Sequence, residues 1–175
     1  NQTICEGSML SLNGVIGGGA TTLTWTTSGD GSFDDVTLAT AQYTPGTTDI
    51  SNGTVTLTLT TDDPDGAGPC LAATASIVLT IEPTPTIDTG TDISVCSATA
   101  VGLSATIGGT STGASWTTTG DGSFDVATSL TPNYTPGTTD ISNGTVTLTA
   151  TTTGVGTCAA TSDQLILTIA PPTAD

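Results

Sequence analysis

Aspartate is the residue whose spacing most suggests chemistry in this sequence, since the chain has sixteen acidic side chains and no Lys, Arg or His. Asp30 and Asp34 occur in the loop GDGSFDD, and Asp121 and Asp125 occur in the similar loop GDGSFDV. Ca²⁺ takes several oxygen ligands, among them carboxylates and turn carbonyls. One hypothesis is a Ca²⁺ site in each loop. The alternative is a plain turn, because two carboxylates are few and Gly-Asp-Gly favours a turn by itself.

A second acidic cluster, DDPDG, occurs only in the first half of the chain. Asp62, Asp63 and Asp65 could also bind Ca²⁺, but the matching region of the second half is Thr152 to Gly154. A site here would belong to one half only, and a solvated loop is the simpler interpretation. Paired carboxylates also occur in glycosidases, which need one carboxyl with a raised pKa in a cleft. These carboxylates lie in Gly-rich loops, so we expect no catalytic residues and no enzyme.

The absence of cationic side chains excludes several partners. Nucleic-acid binding depends on Lys and Arg that neutralise phosphates, and an anionic membrane surface would repel the chain. No segment approaches the length of apolar sequence that spans a membrane. Without His or Lys the usual general bases and imidazole ligands are also missing. We therefore expect no nucleic acid, no membrane insertion and no cofactor other than a possible Ca²⁺.

An internal repeat organises the whole chain. A shift of 91 residues aligns Cys5 with Cys96, and the stretch YTPGTTDISNGTVTLT that begins at Tyr43 recurs unchanged from Tyr134. The repeat predicts two domains, residues 1–82 and 87–175, joined by a short Pro/Thr linker at 83–86. Asn1 aligns with a position inside the second repeat, so we expect a longer array in which further copies of the same repeat are partners.

Alternation of apolar residues with Thr predicts strands within each repeat. Val55, Leu57 and Leu59 alternate with Thr, and Val146 and Leu148 repeat the pattern. This period of two is typical of half-buried strands, and β-branched Thr disfavours helix. Turn sequences such as Gly-Asp-Gly, Pro-Gly and Asn-Gly separate the strands and tolerate positive φ. The sequence predicts an all-β fold with two tandem immunoglobulin-like β-sandwiches.

Each repeat has one Trp, one Phe and one Tyr at matching positions. Trp25 and Trp116 lie within strand patterns, so we expect them in the core between the sheets. The alternative is a platform on which a sugar stacks. For Tyr43 and Tyr134 we expect that each hydroxyl fixes a turn.

The four cysteines allow three pairings. Near-identical surroundings in the two repeats favour one of these, Cys5 with Cys70 and Cys96 with Cys158. Each bond would join the first strand to the loop before the last strand. Zinc is the competing use, but the close spacing typical of structural zinc sites is absent. Disulfides imply an oxidising compartment, so we expect an extracellular protein.

The order of motifs resembles a known module. WTT, GDGSF, YTPG, NGTVTLT and LTI follow the first cysteine in both repeats, and LSL of the first repeat is matched by VGL, residues 101–103, in the second. The pattern resembles the immunoglobulin-like repeats of giant Bacteroidota surface proteins, including the mobile surface adhesins of gliding species. The resemblance implies a bacterial cell surface and a stalk that spaces or presents an adhesive tip, which could contact an external surface or polysaccharide.

Two other functions stay open at this point. One is a calcium- or carbohydrate-binding module, which a shift in melting temperature with Ca²⁺ would reveal. The other is a subunit of a self-assembling extracellular filament, in which contacts between chains build a fibre.

Overall fold

The computed structural model describes residues 1–66, 68–96 and 99–170. The chain divides into two compact units, Asn1–Pro83 and Thr84–Asp175. Residues 171–175, at the end of the predicted second repeat, lie outside the described residues.

Within residues 1–66 and 68–83, the first unit has seven strands and one short helix. In chain order they are β1 (Gln2–Cys5), β2 (Leu10–Ser11), β3 (Leu23–Thr27), β4 (Ser32–Phe33), β5 (Gln42–Thr44), α1 (Thr47–Asn52), β6 (Thr54–Thr61) and β7 (Thr74–Glu82). One sheet has the order β1-β7-β6-β3 and the other the order β2-β5-β4. All pairs are antiparallel except β1 with β7, the first and last strands, which run parallel.

The core of the first unit lies between its two sheets. Along β6, Val55, Leu57 and Leu59 are buried while the intervening threonines are exposed or half-buried. Leu10 of β2 and Tyr43 of β5 join the same buried cluster from the other sheet. A strand buries alternate residues on one face, so the Thr face is left toward solvent. The all-β prediction is confirmed, and the period of two is its physical basis.

The second unit repeats this plan and adds a small sheet. Its elements are β8 (Thr86–Asp88), β9 (Ile93–Val95), β10 (Val101–Gly102), β11 (Thr106–Gly108), β12 (Gly113–Thr118), β13 (Ser123–Phe124), β14 (Asn133–Thr135), α2 (Thr138–Asn143), β15 (Thr145–Thr153) and β16 (Ser162–Ile169). The sheets have the orders β12-β15-β16-β9, β10-β14-β13 and β11-β8. Here β9 pairs in parallel with the last strand, β16.

The segment predicted as a linker, 83–86, contributes to the second unit. Pro85 is fully buried, and its carbonyl accepts a hydrogen bond of 3.0 Å from the Thr161 hydroxyl. Thr86 begins β8, which pairs with β11. Three of the four residues therefore belong to the packed second unit.

The predicted cysteine pairs are wrong. Cys70 and Cys96 are free and exposed, so neither the bond from Cys5 to Cys70 nor the bond from Cys96 to Cys158 is formed. The reason in the first unit is the parallel pairing, which sets Cys5 beside Glu82 at the end of β7, while Cys70 precedes the start of β7.

Strand length shows how far apart the predicted partners lie. A nine-residue strand such as β7 separates its two ends by about 26 Å, at roughly 3.3 Å per residue. The Cα atoms of a disulfide lie within about 7 Å of each other. In the second unit β9 ends at Val95 beside Ile169, so Cys96 follows the far end of β16 and Cys158 precedes its start. Neither predicted pair can close.

Within the described residues, the structure has no helix with the length and apolar character needed to cross a membrane.

Candidate functional site

A buried carboxylate lies at the centre of the most strictly repeated part of the sequence. Asp49 is only 1% exposed, and its Oδ2 accepts hydrogen bonds from the Tyr43 hydroxyl at 2.6 Å and from the Gly31 and Gly46 N–H groups at 3.1 Å. Its Oδ1 accepts from the Asp30 N–H at 3.3 Å. Four donors thus compensate the loss of water around this carboxylate, as a buried polar group requires.

Asp30, in the Gly-Asp-Gly turn, accepts hydrogen bonds from the N-terminus of helix α1. Helix α1 begins after Gly46, an N-cap residue without a side chain to accept from the first N–H groups. The Asp30 carboxylate takes that place, accepting from the Thr48 N–H at 3.0 and 3.1 Å and from the Asp49 N–H at 3.2 Å. A carboxylate at a helix N-terminus also complements the helix dipole. Asp30 and Asp49 therefore tie the Gly-Asp-Gly turn and α1 together from both sides.

We call this arrangement the aspartate interlock, formed by Asp30, Tyr43 and Asp49 in the first unit and by the equivalent Asp121, Tyr134 and Asp140 in the second. Its geometry is nearly identical in the second unit. The Tyr134 hydroxyl donates to Asp140 at 2.6 Å, and the Asp121 carboxylate accepts from the Asp140 N–H at 3.2 Å. Two copies with the same geometry indicate that the interlock belongs to the module itself.

Glycines in the interlock are required by close packing more than by backbone angle. A Cβ on Gly29 would collide with the Asp49 carboxylate, and a Cβ on Gly46 would collide with that of Asp30. Neither residue has a positive φ, although the turn sequences suggested that they would. Gly53, which ends α1 with φ 70°, does use the left-handed region that glycine favours, as does Gly144 after α2.

Hydrogen bonding and burial shift two pKa values in the interlock. The hydrogen bond from the Thr48 N–H is the main influence that holds the pKa of Asp30 below its ordinary value of 3.8, and desolvation opposes it. Desolvation, aided by the hydrogen bond to Asp49, raises the pKa of Tyr43 to about 12. The equivalent groups of the second unit shift in the same directions.

The second carboxylate of each predicted Ca²⁺ loop fixes a hairpin instead. Asp34 Oδ1 accepts from the Gln42 N–H at 2.7 Å and from the Asp35 N–H at 2.8 Å. Asp125 accepts from the backbone and side-chain N–H groups of Asn133, both at 2.8 Å. The side-chain bond from Asn133 is the largest influence that lowers the pKa of Asp125. These carboxylates act across the β4–β5 and β13–β14 hairpins.

The acidic cluster found only in the first unit has separate local partners. Asp62 accepts from the Thr22 N–H at 2.9 Å, which is the largest influence lowering the pKa of Asp62. Asp63 accepts N–H groups of its own turn. Asp65 accepts from the Cys70 N–H at 3.2 Å. These bonds tie the connection before β3 to the end of β6 and hold turns within the connection between β6 and β7.

No group of three or more His, Cys, Asp or Glu side chains that could hold a metal ion occurs among residues 1–66, 68–96 and 99–170. Ca²⁺ binding at the candidate aspartates stays a prediction. Its ligands would have to include backbone or Thr oxygens, because no three carboxylates come together in the described part of the chain.

Both tryptophans are buried, which removes the sugar-stacking alternative. Trp25 is 5% exposed and Trp116 2% exposed. Their indole N–H groups donate to the carbonyls of Leu38 at 3.0 Å and Ser129 at 3.1 Å. With the rings enclosed and the N–H groups paired, neither face can stack on a sugar from solvent.

The reasoning from sequence missed Asp49, Asp140 and both helices. The sequence predicts turns at Pro45-Gly46 and Asn52-Gly53, and the six-residue helix between them is too short to show a helical period. The signal that could have found Asp49 is the strict identity of the stretch that begins at Tyr43, whose single acidic residue is preceded by Thr47 and Thr48 and followed by an apolar Ile50.

No protein-family model matches the sequence, and no curated protein matches it. Among solved structures, the chain is similar to three immunoglobulin domains of a titin variant, with a TM-score of 0.51 and 16% identity over 98% of this chain and 62% of that one. It is also similar to the insect immune protein hemolin, with a TM-score of 0.50 and 12% identity over 98% of this chain and 44% of that one.

The chain spans less than two thirds of each of these solved chains. At such identities the likeness concerns fold alone. Together with the two-sheet cores and the interlock, it shows two tandem immunoglobulin-like β-sandwich domains.

Proposed function

We propose that this chain is a structural and adhesive stalk segment of a large secreted cell-surface protein. Its modules would resist tension while they space or present an adhesive tip that lies elsewhere in the protein. The resemblance to Bacteroidota repeats supports a stalk on a bacterial surface, in adhesion or gliding. The proposal includes no catalytic role for the chain.

The parallel pairing of the first and last strands carries this proposal. In the first unit, residues Gln2–Cys5 pair with Leu79–Glu82, and the Glu6 N–H continues the ladder to the Glu82 carbonyl at 2.8 Å. Tension on the two ends pulls parallel neighbours in opposite directions along their length. The ladder hydrogen bonds are then loaded together in shear, whereas an antiparallel pair of terminal strands would peel apart one bond at a time.

The second unit has the same arrangement around its last strand. Ile93, Ser94 and Val95 pair in parallel with the end of β16, and the Ala170 N–H donates to the Val95 carbonyl at 2.8 Å. Both modules of the chain therefore place a shear-loaded ladder beside the segment through which the chain leaves the module. This placement suits a stalk under tension.

The use of the shared carboxylates also supports a structural role. Asp30, Asp34 and Asp49, and their equivalents in the second unit, accept hydrogen bonds that hold turns, hairpins and a helix. The net charge of −16 and the Thr-rich outer faces oppose association between exposed strand edges. The carboxylates shared by the two modules thus stabilise the fold of each module.

Stretching single molecules by atomic force microscopy tests the proposal. The chain would be held at its two ends with the cysteines reduced, so that no disulfide shortens the extension. We expect two separate unfolding events of similar force, one for each module. Smooth extension without a force peak for either module would contradict a stalk that resists tension.

A further inference from the structure

A short strand of the second unit has no counterpart in the first. Strand β8 pairs antiparallel with β11, and Ile87 lies opposite Ile107. Through the shift of 91 residues, β11 corresponds to residues 15–17 of the first unit. In the described part of that unit, no strand pairs with residues 15–17. The first unit therefore has the receiving edge of this small sheet without the strand that covers it.

The segment that includes β8 is an integral part of the second unit. Ile87 packs against the buried core cluster of that unit, and Pro85 is fully buried. The N–H and the hydroxyl of Thr89 both donate to the Asp163 carboxylate at 2.8 Å. Residues 85–89 thus cover the start of β16 through apolar packing, a strand ladder and hydrogen bonds of side chains.

The equivalent surface of the first unit is open. Val15 is 84% exposed, although its position corresponds to a strand residue of the second unit. Strand β8 packs against β16, where Leu165 is only 1% exposed. Ile77, which corresponds to Leu165 in the first unit, is only half-buried. Apolar side chains of the first unit are therefore exposed where the second unit has its additional strand.

A glycine at this edge indicates that a strand comes close to it. A Cβ on Gly108 would collide with the side chain of Thr86 in β8. Gly17 is the equivalent residue, yet a Cβ there would meet none of the described residues within 4 Å, and its φ is not positive. The described part of the first unit gives no reason for glycine at this position. The approach of a strand, as at Gly108, does give one.

We propose that residues 15–17 are the docking edge for an extended segment with the chemistry of residues 85–89, Pro-Thr-Ile-Asp-Thr, supplied by the linker of a further copy of this module. The inference rests on the proposed stalk function and names the partner of this edge. An extended segment that joins a sheet edge is held by main-chain hydrogen bonds, and its alternate side chains give specificity. The register of β8 predicts that the incoming Ile lies opposite Ile16 and the preceding Thr opposite Gly17.

The first unit lacks two side chains that hold this segment in the second unit. When the last strands are aligned from the second cysteine of each repeat, Thr161 and Asp163 correspond to Ala73 and Ala75. Docking on the first unit therefore depends on the main-chain ladder and on the incoming Ile. A carboxylate at position 75 should strengthen it, because it would accept from the incoming Thr as Asp163 accepts from Thr89.

The test adds the sequence of residues 84–91, TPTIDTGT, directly before Asn1 of the whole chain. This places the segment in the register that it has before Asp92. A control extension has Asp in place of its Ile. Heat unfolding is followed by pulsed hydrogen exchange and mass spectrometry, so that peptides outside the stretch common to both repeats report on each module separately.

We expect the extension to slow exchange of the peptide that contains residues 15–17 about tenfold. It should also raise the melting temperature of the first module by about 5 °C and leave the second module unchanged. The control extension should have neither effect. Ala75→Asp should raise the melting temperature of the first module in the extended chain and not in the unextended chain.

Equal exchange and equal melting temperatures for the two extensions would overturn the inference, and an equal effect of Ala75→Asp with and without the extension would overturn the register. Stretching the unaltered chain does not involve the extension. Two normal force peaks without any effect of the extension would therefore leave the stalk function standing. Smooth stretching together with the expected protection would contradict the stalk and leave the docking edge in place.

Discussion

The Tyr43 hydroxyl donates a 2.6 Å hydrogen bond to Oδ2 of Asp49, and both side chains are almost completely buried. This pair joins the β5 strand to helix α1 beside a buried cluster of apolar side chains. Because the same pair recurs as Tyr134 and Asp140, the stability of each module should depend on it.

Replacing Asp49 by Asn should destabilise the first module selectively. Asn keeps one acceptor oxygen but turns an amide group toward N–H donors, which leaves buried groups unpaired at a cost of about 1–3 kcal/mol. Denaturant unfolding should therefore show an earlier transition for the first module, while the second, with Asp140 intact, serves as an internal reference. Asp63→Asn, in an exposed turn, is the matched control and should change little. Equal unfolding of both variants would show that the interlock is not a source of stability.

Acid should destabilise the modules partly through Asp30. Its pKa is lower in the folded chain than the unfolded value near 3.8, so its stabilising effect is complete above that value and is lost as the pH falls through the folded pKa. Asp30→Asn keeps a capping acceptor but cannot titrate. Melting of this variant between about pH 5 and about pH 2 should depend less on pH for the first module than it does in the unaltered chain. An unchanged pH slope would contradict the role assigned to Asp30.

Both tyrosines should titrate at unusually high pH. In the folded chain the pKa values of Tyr43 and Tyr134 are raised from the ordinary value of 10.0 to about 12. Phenolate absorbance should therefore rise near pH 12 for the folded chain and near 10 in denaturant. Since the neutral form is favoured by folding, this stabilisation is complete below pH 10 and is lost as the pH rises toward 12. Folded-state titration near 10 would mean that the hydroxyls are not held as described.

Ca²⁺ should have little effect on melting if the aspartates serve only the hydrogen bonds described above. A ligand that binds only the folded state raises the melting temperature. The measurement compares the chain in excess Ca²⁺ with the chain in chelator, and Mg²⁺ at equal ionic strength is the control for screening. An increase of many degrees specific to Ca²⁺ would instead support a calcium-binding module, with Asp30, Asp34 or the Asp62–Asp65 cluster supplying ligands.

The sequence predicts the core better than it predicts the connections. Alternation of Val55, Leu57 and Leu59 with Thr follows directly from strand geometry, so the buried face could be assigned from pattern alone. Trp25 could be placed in the core because it falls on such a strand. Both features depend on the alternation of apolar and polar residues along one strand, which can be seen directly in the sequence.

The interlock and the cysteine state depend on which distant segments meet. Asp49 is buried only because the Gly-Asp-Gly turn, some twenty residues earlier, brings N–H donors to it. The predicted bond from Cys5 to Cys70 was based on the equivalence of the two repeats. That equivalence does not indicate whether the first and last strands run parallel or antiparallel. Parallel pairing of β1 with β7 places these cysteines at opposite ends, and no local pattern reports that direction.

The most direct test of the account is the force needed to unfold the first module when one ladder bond is removed. Glu6→Pro deletes the N–H that donates to the Glu82 carbonyl, whereas Glu6→Ala keeps this N–H and is the matched control. Stretched at its ends with the cysteines reduced, the Pro variant should unfold one module at clearly lower force while the other module keeps its force. The Ala variant should match the unaltered chain. Equal unfolding forces for the Pro and Ala variants would contradict the claim that the parallel terminal strands bear the tension.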